Sequence, residues 1–225
     1  GEAASDPRIQ SLYFFTPHDT HLDNVKLAAS HGKHILIEKP IARTLDEAQE
    51  MVRIARDAGV KLMVAENYRF LLTVDKAHEI MSQGRVGDSF GELRQIELQA
   101  EGYSHPTEWR KSAEQNGGGV FIDGGIHFVD VMLRLGGFPE SVYAIQPPQL
   151  FTDIEGEDGI VMTARLSGGV PAIINFSRST PIREKPPMVH LTGTKGKLSF
   201  VPYGRELSVE TLQVRRTVRV AAPRR

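Results

Sequence analysis

Residues 34–40 read His34-Ile35-Leu36-Ile37-Glu38-Lys39-Pro40, and the fold is decided here. The aliphatic run is that of a buried strand, and it stops abruptly at the polar Glu38-Lys39-Pro40, where a proline cannot extend a ladder of hydrogen bonds. Working towards the N-terminus, Thr20 and Asp23 resemble a capping pair, Leu22, Val25 and Ala29 supply one apolar face, and Gly32 sits where a helix-ending glycine belongs. Ahead of that helix, Ile9 to Thr16 (IQSLYFFT) is a nearly continuous apolar and aromatic run closed by Pro17, the pattern of a buried parallel strand. Towards the C-terminus the design repeats. Thr44 and Glu47 form a capping box, Leu45, Ala48, Val52 and Ala55 make the stripe, Gly59 ends it, and Lys61 to Ala65 (KLMVA) is a third strand. Strands alternating with helices at this spacing predict right-handed crossovers and a parallel sheet.

After about residue 66 the pattern changes. Helices near Val74 to Gln83 and Asp123 to Leu135 bracket a long strand, Glu92 to Glu101. Extended segments follow at Ser141 to Gln146, Gly159 to Leu166, Pro171 to Arg178, Met188 to Thr192, Lys197 to Pro202 and Thr211 to Val220. Such a series predicts a mixed or antiparallel sheet covered on one face by helices. The fold class is therefore α/β followed by α+β, with a boundary near Asn67 dividing the chain into 1–66 and 67–225.

The 225 residues carry a net charge of -1 and no cysteine. A balanced charge offers nothing to hold a polyanion or an anionic membrane, so nucleic acid and membrane are not expected partners. The basic residues Arg215, Arg216, Arg219, Arg224 and Arg225 read as a solvated strand face or tail. Without cysteine there is no disulfide framework and no thiolate metal site, which suits a reducing, cytoplasmic setting.

In an open parallel sheet, ligands lie beyond the carboxyl ends of the strands. Three polar clusters fall there: Thr16-Pro17-His18, Glu38-Lys39-Pro40 and Glu66-Asn67-Tyr68-Arg69. A lone Glu-Lys pair is ordinarily a surface ion pair of little consequence. Three polar strand ends converging on one edge are less easily dismissed. Farther on, the run Gly117 to His127 (GGGVFIDGGIH) places Asp123 and His127 four apart, on one face of any helix that begins there. A neutral histidine can take a proton from a hydroxyl near pH 7, and a carboxylate nearby favours the resulting imidazolium. The plainer alternative makes Asp123 a helix cap and His127 a buried histidine with its hydrogen bonds satisfied. Gly193 to Leu198 (GTKGKL) looks like a piece of a phosphate loop but has the wrong spacing, and reads as a hairpin turn. The pairs His18/His21 and His31/His34 lack the further ligands that a zinc site needs, so no metal is expected.

Taken together, Thr16-Pro17 with His21 beyond it, Gly32-Lys33-His34 leading into Glu38-Lys39-Pro40, Asn67-Tyr68-Arg69-Phe70, Trp109-Arg110, the Asp123/His127 segment and the Gly193 turn resemble the superfamily of glucose-fructose oxidoreductase and inositol 2-dehydrogenase. The resemblance implies a partial Rossmann-type sheet followed by an open-faced substrate and oligomerisation domain. It also implies hydride transfer between NAD or NADP and a sugar, polyol or similar secondary alcohol. It makes Lys39 the catalytic lysine and Asp123 and His127 the acid-base pair. Thr16, Pro17, His21, Glu38, Lys39 and Asn67 then border the cofactor, with Trp109 and Arg110 in the same pocket, and a homodimer or homotetramer forms through the C-terminal sheet. Members of the superfamily open with a strand, a G-x-G-x-x-G turn and a helix that holds the pyrophosphate. The first strand here corresponds to the fourth of their sheet, so residues 1–66 are expected to be the second half of the dinucleotide domain. The superfamily also continues into further helices after the last strands, which leaves a fragment, a shortened reading frame and a protein that has given up the cofactor all open. Two other functions share the scaffold: an NAD-dependent glycosidase, and a non-catalytic binding or assembly protein.

Overall fold

The computed structural model describes residues 2–82, 90–183, 186 and 188–220. The chain falls into two compact units. One comprises Gly1–Glu66, Pro106–Ile126 and Thr152–Glu157; the other comprises Asn67–His105, His127–Phe151 and Asp158–Arg225. The two later returns to the first unit are not anticipated by a single cut at Asn67.

In the first unit, β1 (Ser11–Phe14), α1 (His21–Ser30), β2 (His34–Ile37), α2 (Leu45–Asp57) and β3 (Leu62–Val64) follow one another, and the strands pair in parallel in the order β1-β2-β3. The capping box at α2 forms. Thr44 Oγ1 accepts from Glu47 N at 3.2 Å, and Glu47 Oε2 accepts from Arg43 N at 3.1 Å. Such a cap is worth about 1 kcal/mol. Val25, Ala28, Ile35, Ile37, Ala42 and Met51 are buried together, with Leu12, Phe14, Leu22, Ile41 and Ala48 packed against them. This core occupies one face of the sheet. The other face carries the register row Tyr13, Leu36 and Met63, with Tyr13 64% and Met63 51% exposed. The continuous apolar runs predict strands buried on both sides. They are covered on one, because successive right-handed crossovers in the order β1-β2-β3 bring both helices to the same side.

The second unit holds α3 (Leu72–Ser82), β4 (Leu93–Glu101), α4 (Ile126–Gly136), β5 (Pro139–Ile145), β6 (Gly159–Leu166), β7 (Pro171–Ser177), β8 (Met188–Gly193), β9 (Gly196–Phe200), β10 (Glu206–Thr211) and β11 (Arg215–Arg219). These strands form one sheet in the order β11-β10-β9-β8-β4-β7-β6-β5. Only the β4–β7 pairing in it is parallel. Alternate residues Ile96, Leu98, Ile174, Phe176, Val189, Leu191, Leu198, Leu207 and Val209 are buried, as are Val74 and Ala77 of α3 and Phe128, Val131, Met132 and Leu135 of α4. Alternation with period two therefore marks one covered face and one open face.

Two sequence expectations change. The extended segment Thr211 to Val220 is not one strand. It turns at Leu212–Val214, where Thr211 Oγ1 accepts from Gln213 N (3.2 Å) and Val214 N (3.1 Å), and Thr211 N donates to Val214 O. This hydroxyl-based turn contains no glycine, proline or asparagine to signal it. The helix expected from Asp123 begins earlier, as a wider π turn over Phe121–Gly125. Gln83, the expected end of the first helix after residue 66, lies outside the described residues. Among the described residues, no helix is long and apolar enough to cross a membrane.

Candidate active site

The ends of β1 and β2 and the returning segment Pro106–Ile126 build a cavity of about 300 Å³ in the first unit. Its lining is Phe15, Thr16, Pro17 and His18 after β1, Glu38 and Lys39 after β2, then Trp109, Arg110 and Asp123. The position beyond the carboxyl ends of parallel strands is where such sheets bind ligands.

Asp123 is the hub. Lys39 Nζ donates to its Oδ1 at 3.0 Å and to its backbone carbonyl at 2.6 Å, while Arg110 Nε donates to Oδ2 at 3.1 Å. Burial alone would raise the Asp123 carboxyl, but the charge and hydrogen bond of Lys39, with Arg110 and His18, together hold it below the ordinary carboxylate value. It is an anion with both oxygens engaged. Lys39 has two of its three N–H groups committed to Asp123.

The loop that carries Asp123 is set by close packing. Gly119 and Gly156 approach back to back, and a Cβ on Gly119 would collide with the Glu157 backbone. Glu157 then accepts from Gly119 N and Phe121 N, both at 2.9 Å, through its two carboxylate oxygens, and its own carbonyl accepts from Val120 N at 2.8 Å. Three successive amides at the start of the π turn are thereby satisfied by one residue. The glycines serve backbone approach, not phosphate. Gly117 has φ +88°, and a Cβ there would strike Arg43, so the left-handed turn has neither steric room nor a conformational alternative for a larger residue.

Trp109 and Arg110 come from a short 3-10 turn, Glu108–Lys111. Glu108 enters it at φ 54°, a left-handed conformation in a non-glycine residue that costs on the order of 1 kcal/mol. The Arg110 guanidinium lies 4.3 Å from the centre of the Trp109 ring, and the edge of that ring meets His18 at 4.5 Å between centroids.

His18 belongs to the polar cluster expected after the first strand, but the sequence reading gave it no role in the site. It is 3% exposed, its Nδ1 lies 2.8 Å from the Asn116 carbonyl, and its Nε2 stands 3.8 Å from Asp123 Oδ1. Burial depresses its pKa to about 4 against the opposing pull of the Asn116 carbonyl and Asp123, with His21 and Lys39 adding to the depression. It is neutral at pH 7. The available signal was its place directly after Pro17 at the strand end, while its spacing from His21 was weighed for zinc.

The other expected residues separate. Thr16 and Glu38 line the cavity. Thr16 Oγ1 accepts from Asn24 Nδ2 at 2.9 Å, and Glu38 Oε2 accepts from Lys39 N at 3.2 Å. His21 does not line it: the ring is fully buried, with Nδ1 facing the carbonyls of Pro40 and Ile41 and Nε2 that of Thr16. It braces the two strand-end loops against each other. Asn67 and His127 belong to the second unit. There Asn67 precedes the 3-10 turn Tyr68–Phe70, and His127 stacks on Tyr68 with centroids 4.3 Å apart and planes 13° from parallel. Among the described residues, no group of three or more His, Asp or Glu side chains is arranged to hold a metal.

A parallel sheet with two helices on one side and a lysine-aspartate pair at its strand ends is half of a dinucleotide-binding fold, and residues 1–66 match the family described as "oxidoreductase family, NAD-binding Rossmann fold". Residues 74–199 match the GFO/IDH/MocA C-terminal domain, and the chain belongs to that oxidoreductase family. It is 30% identical over 200 residues to the 1,5-anhydro-D-fructose reductase of Ensifer adhaerens, covering 88% of this chain and 58% of that protein. It is 28% identical over 204 residues to the D-xylose 1-dehydrogenase [NADP(+)] of Haloarcula marismortui, covering 89% and 55%. A levoglucosan dehydrogenase solved with NADH and L-sorbose superposes with a TM-score of 0.86 at 25% identity, covering 97% of this chain and 63% of the other. The chain thus spans little more than half the length of the curated relatives it matches.

Proposed function

We propose that this protein works as an NAD- or NADP-dependent dehydrogenase of a sugar, polyol or similar secondary alcohol. The observation that carries the reading is the Lys39–Asp123–Arg110 cluster at the wall of the strand-end cavity. The cavity suits a nicotinamide ring, since Phe15, Pro17 and Trp109 give it flat apolar surface and Lys39 gives it one fixed cation. Thr16, Pro17, Glu38, Lys39, Trp109 and Arg110 would border the ring, joined by Asn67 on the strength of the resemblance.

When bound, the nicotinamide supplies the hydride-accepting carbon. Lys39 is held by Asp123 with an N–H to spare, and it steadies the negative charge that grows on the substrate oxygen as the hydroxyl loses its proton. Asp123 keeps that ammonium aimed. His127 takes the proton, a role assigned by the resemblance. The partners are a small alcohol and a second copy of the chain. The open face of the C-terminal sheet bears Tyr143, Ile145 and Val161, all exposed, and suits a homodimer or homotetramer. A cytoplasmic setting agrees with the absence of cysteine.

The test is a survey of sugars and polyols with NAD and NADP, following nicotinamide absorbance, in wild type and Lys39→Ala. The expected result is oxidation of at least one polyhydroxy alcohol and a fall in kcat of roughly 100-fold or more in the variant. Unchanged turnover in Lys39→Ala would overturn the mechanism. A free sugar released without net NADH would instead select the glycosidase reading.

A further inference from the structure

We propose that His18 is a hydrogen-bond acceptor of fixed tautomer, and that with Lys39 it reads an uncharged ligand group presenting an N–H or O–H donor beside an oxygen acceptor. The inference rests on the dehydrogenase reading and names a contact within it.

The Asn116 carbonyl at 2.8 Å can only accept, so His18 Nδ1 carries the proton and, in the neutral ring, Nε2 carries a lone pair. The tautomer cannot exchange without leaving the carbonyl unpaired in a buried setting, because His18 is 3% exposed and Asn116 1%. The T-shaped contact with Trp109 holds the ring in place. Nε2 therefore faces Asp123 Oδ1 at 3.8 Å. This is beyond hydrogen-bond range, with a lone pair opposed to a carboxylate. A donor entering from the cavity would satisfy Nε2 and relieve that opposition. Lys39 Nζ donates to Asp123 Oδ1 and to the Asp123 carbonyl, which leaves one N–H for a ligand oxygen. Beside Asp123 the cavity thus offers an acceptor, His18 Nε2, and a donor, the remaining Lys39 N–H.

Two sources carry the matching donor and acceptor side by side: the carboxamide of the nicotinamide, and a hydroxyl of a polyol next to the one being oxidised. The weakly basic His18 does not compete with His127 for the reacting proton. Its contribution is orientation, worth about one neutral hydrogen bond, or roughly 10-fold in affinity.

The test is ¹⁵N-histidine NMR at pH 7, with the His18 signal assigned by its loss in His18→Gln. The free protein is expected to show protonated Nδ1 and unprotonated Nε2 at His18. The Nε2 resonance should move upfield when a donor binds. A shift on adding NADH that is absent with the 3-acetylpyridine analogue, which has no amide hydrogens, assigns the carboxamide. A shift that appears only when a polyol is added to the NADH complex assigns the hydroxyl. A protonated Nε2 in the free protein overturns the proposal, as does an unmoved signal with both ligands bound. If neither ligand binds, the dehydrogenase reading falls and this contact falls with it. His18→Leu, checked for an unchanged melting temperature, should weaken the assigned ligand about 10-fold; full affinity in a folded variant would also refute it.

Discussion

Lowering the pH should titrate His18 far below the usual histidine range, and the protein carries its own reporter. Trp109 is the sole tryptophan, and its ring meets His18 at 4.5 Å. An imidazolium quenches indole emission at contact, so fluorescence should hold steady from pH 8 to about 5 and fall with a midpoint near pH 4. The linkage has a definite sign. His18 drops from an ordinary value of 6.5 when unfolded to about 4 when folded, so the unfolded chain binds the extra proton between these limits. Stability is therefore intact above about pH 6.5 and is lost as pH falls towards 4, by about 3 kcal/mol across the window. Urea unfolding at pH 7, 6, 5 and 4.5 measures it, and His18→Gln should flatten the slope. His190, also depressed by burial, adds to the loss in the same window, so the comparison is best made in a His190→Gln background. Asp123 is depressed below the ordinary carboxylate value and contributes only at more acid pH. Of the groups facing His18, the Asp123 carboxylate raises its pKa while His21 and Lys39 lower it. Asp123→Asn should accordingly move the fluorescence midpoint lower. A midpoint at about 6 or above, or equal slopes in wild type and His18→Gln, would mean that His18 is not held neutral by burial.

Other perturbations test the scaffold. Thr44→Ala removes the side-chain bond to Glu47 N and should cost about 1 kcal/mol in urea unfolding, while Thr44→Ser should restore it. Glu157→Ala strips Gly119 N and Phe121 N of their acceptor and should cost roughly 2 kcal/mol or more, with any nicotinamide-dependent activity falling further than stability explains. Gly119→Ala drives a methyl into the Glu157 backbone and should lower the melting temperature more than Gly32→Ala, whose Cβ would meet open space and whose cost comes from its positive φ alone.

Much of the fold was legible because its elements are local. The Thr44 box, the glycine at the end of α1 and the period-two strands each declare themselves within a few residues, and they appear within a residue or two of their expected bounds. What was not legible depends on neighbours distant in sequence. An apolar run such as Leu12 to Phe15 is the same whether one face or two will be covered, and only the crossover direction decides that Tyr13 is open. The β10–β11 hairpin was hidden for the opposite reason. Its turn is closed by a threonine hydroxyl and presents the exposed Leu212 and Val214, so the apolar pattern runs on through the bend.

The site shows the same division. Lys39 could be singled out because it stands at a strand end in a cluster of polar residues. Asp123 could be singled out only as half of a spaced pair, and its partners in the first unit turn out to be Lys39 and Arg110, which no helical spacing could supply. Asp123 stands within the π turn Phe121–Gly125, to which the four-residue spacing of an α-helix does not apply. That turn is fixed by Glu157, which comes 34 residues after Asp123 in the sequence and arrives through a glycine contact that has no periodic signature. A charged residue in a six-residue return loop reads as surface until its acceptors are counted against the amides of Gly119 and Phe121. Once they are, the glycine-rich stretch becomes intelligible as the means of bringing Glu157 to three amides, two at its carboxylate and one at its carbonyl, and so of presenting the Asp123 carboxylate to the lysine at the end of β2.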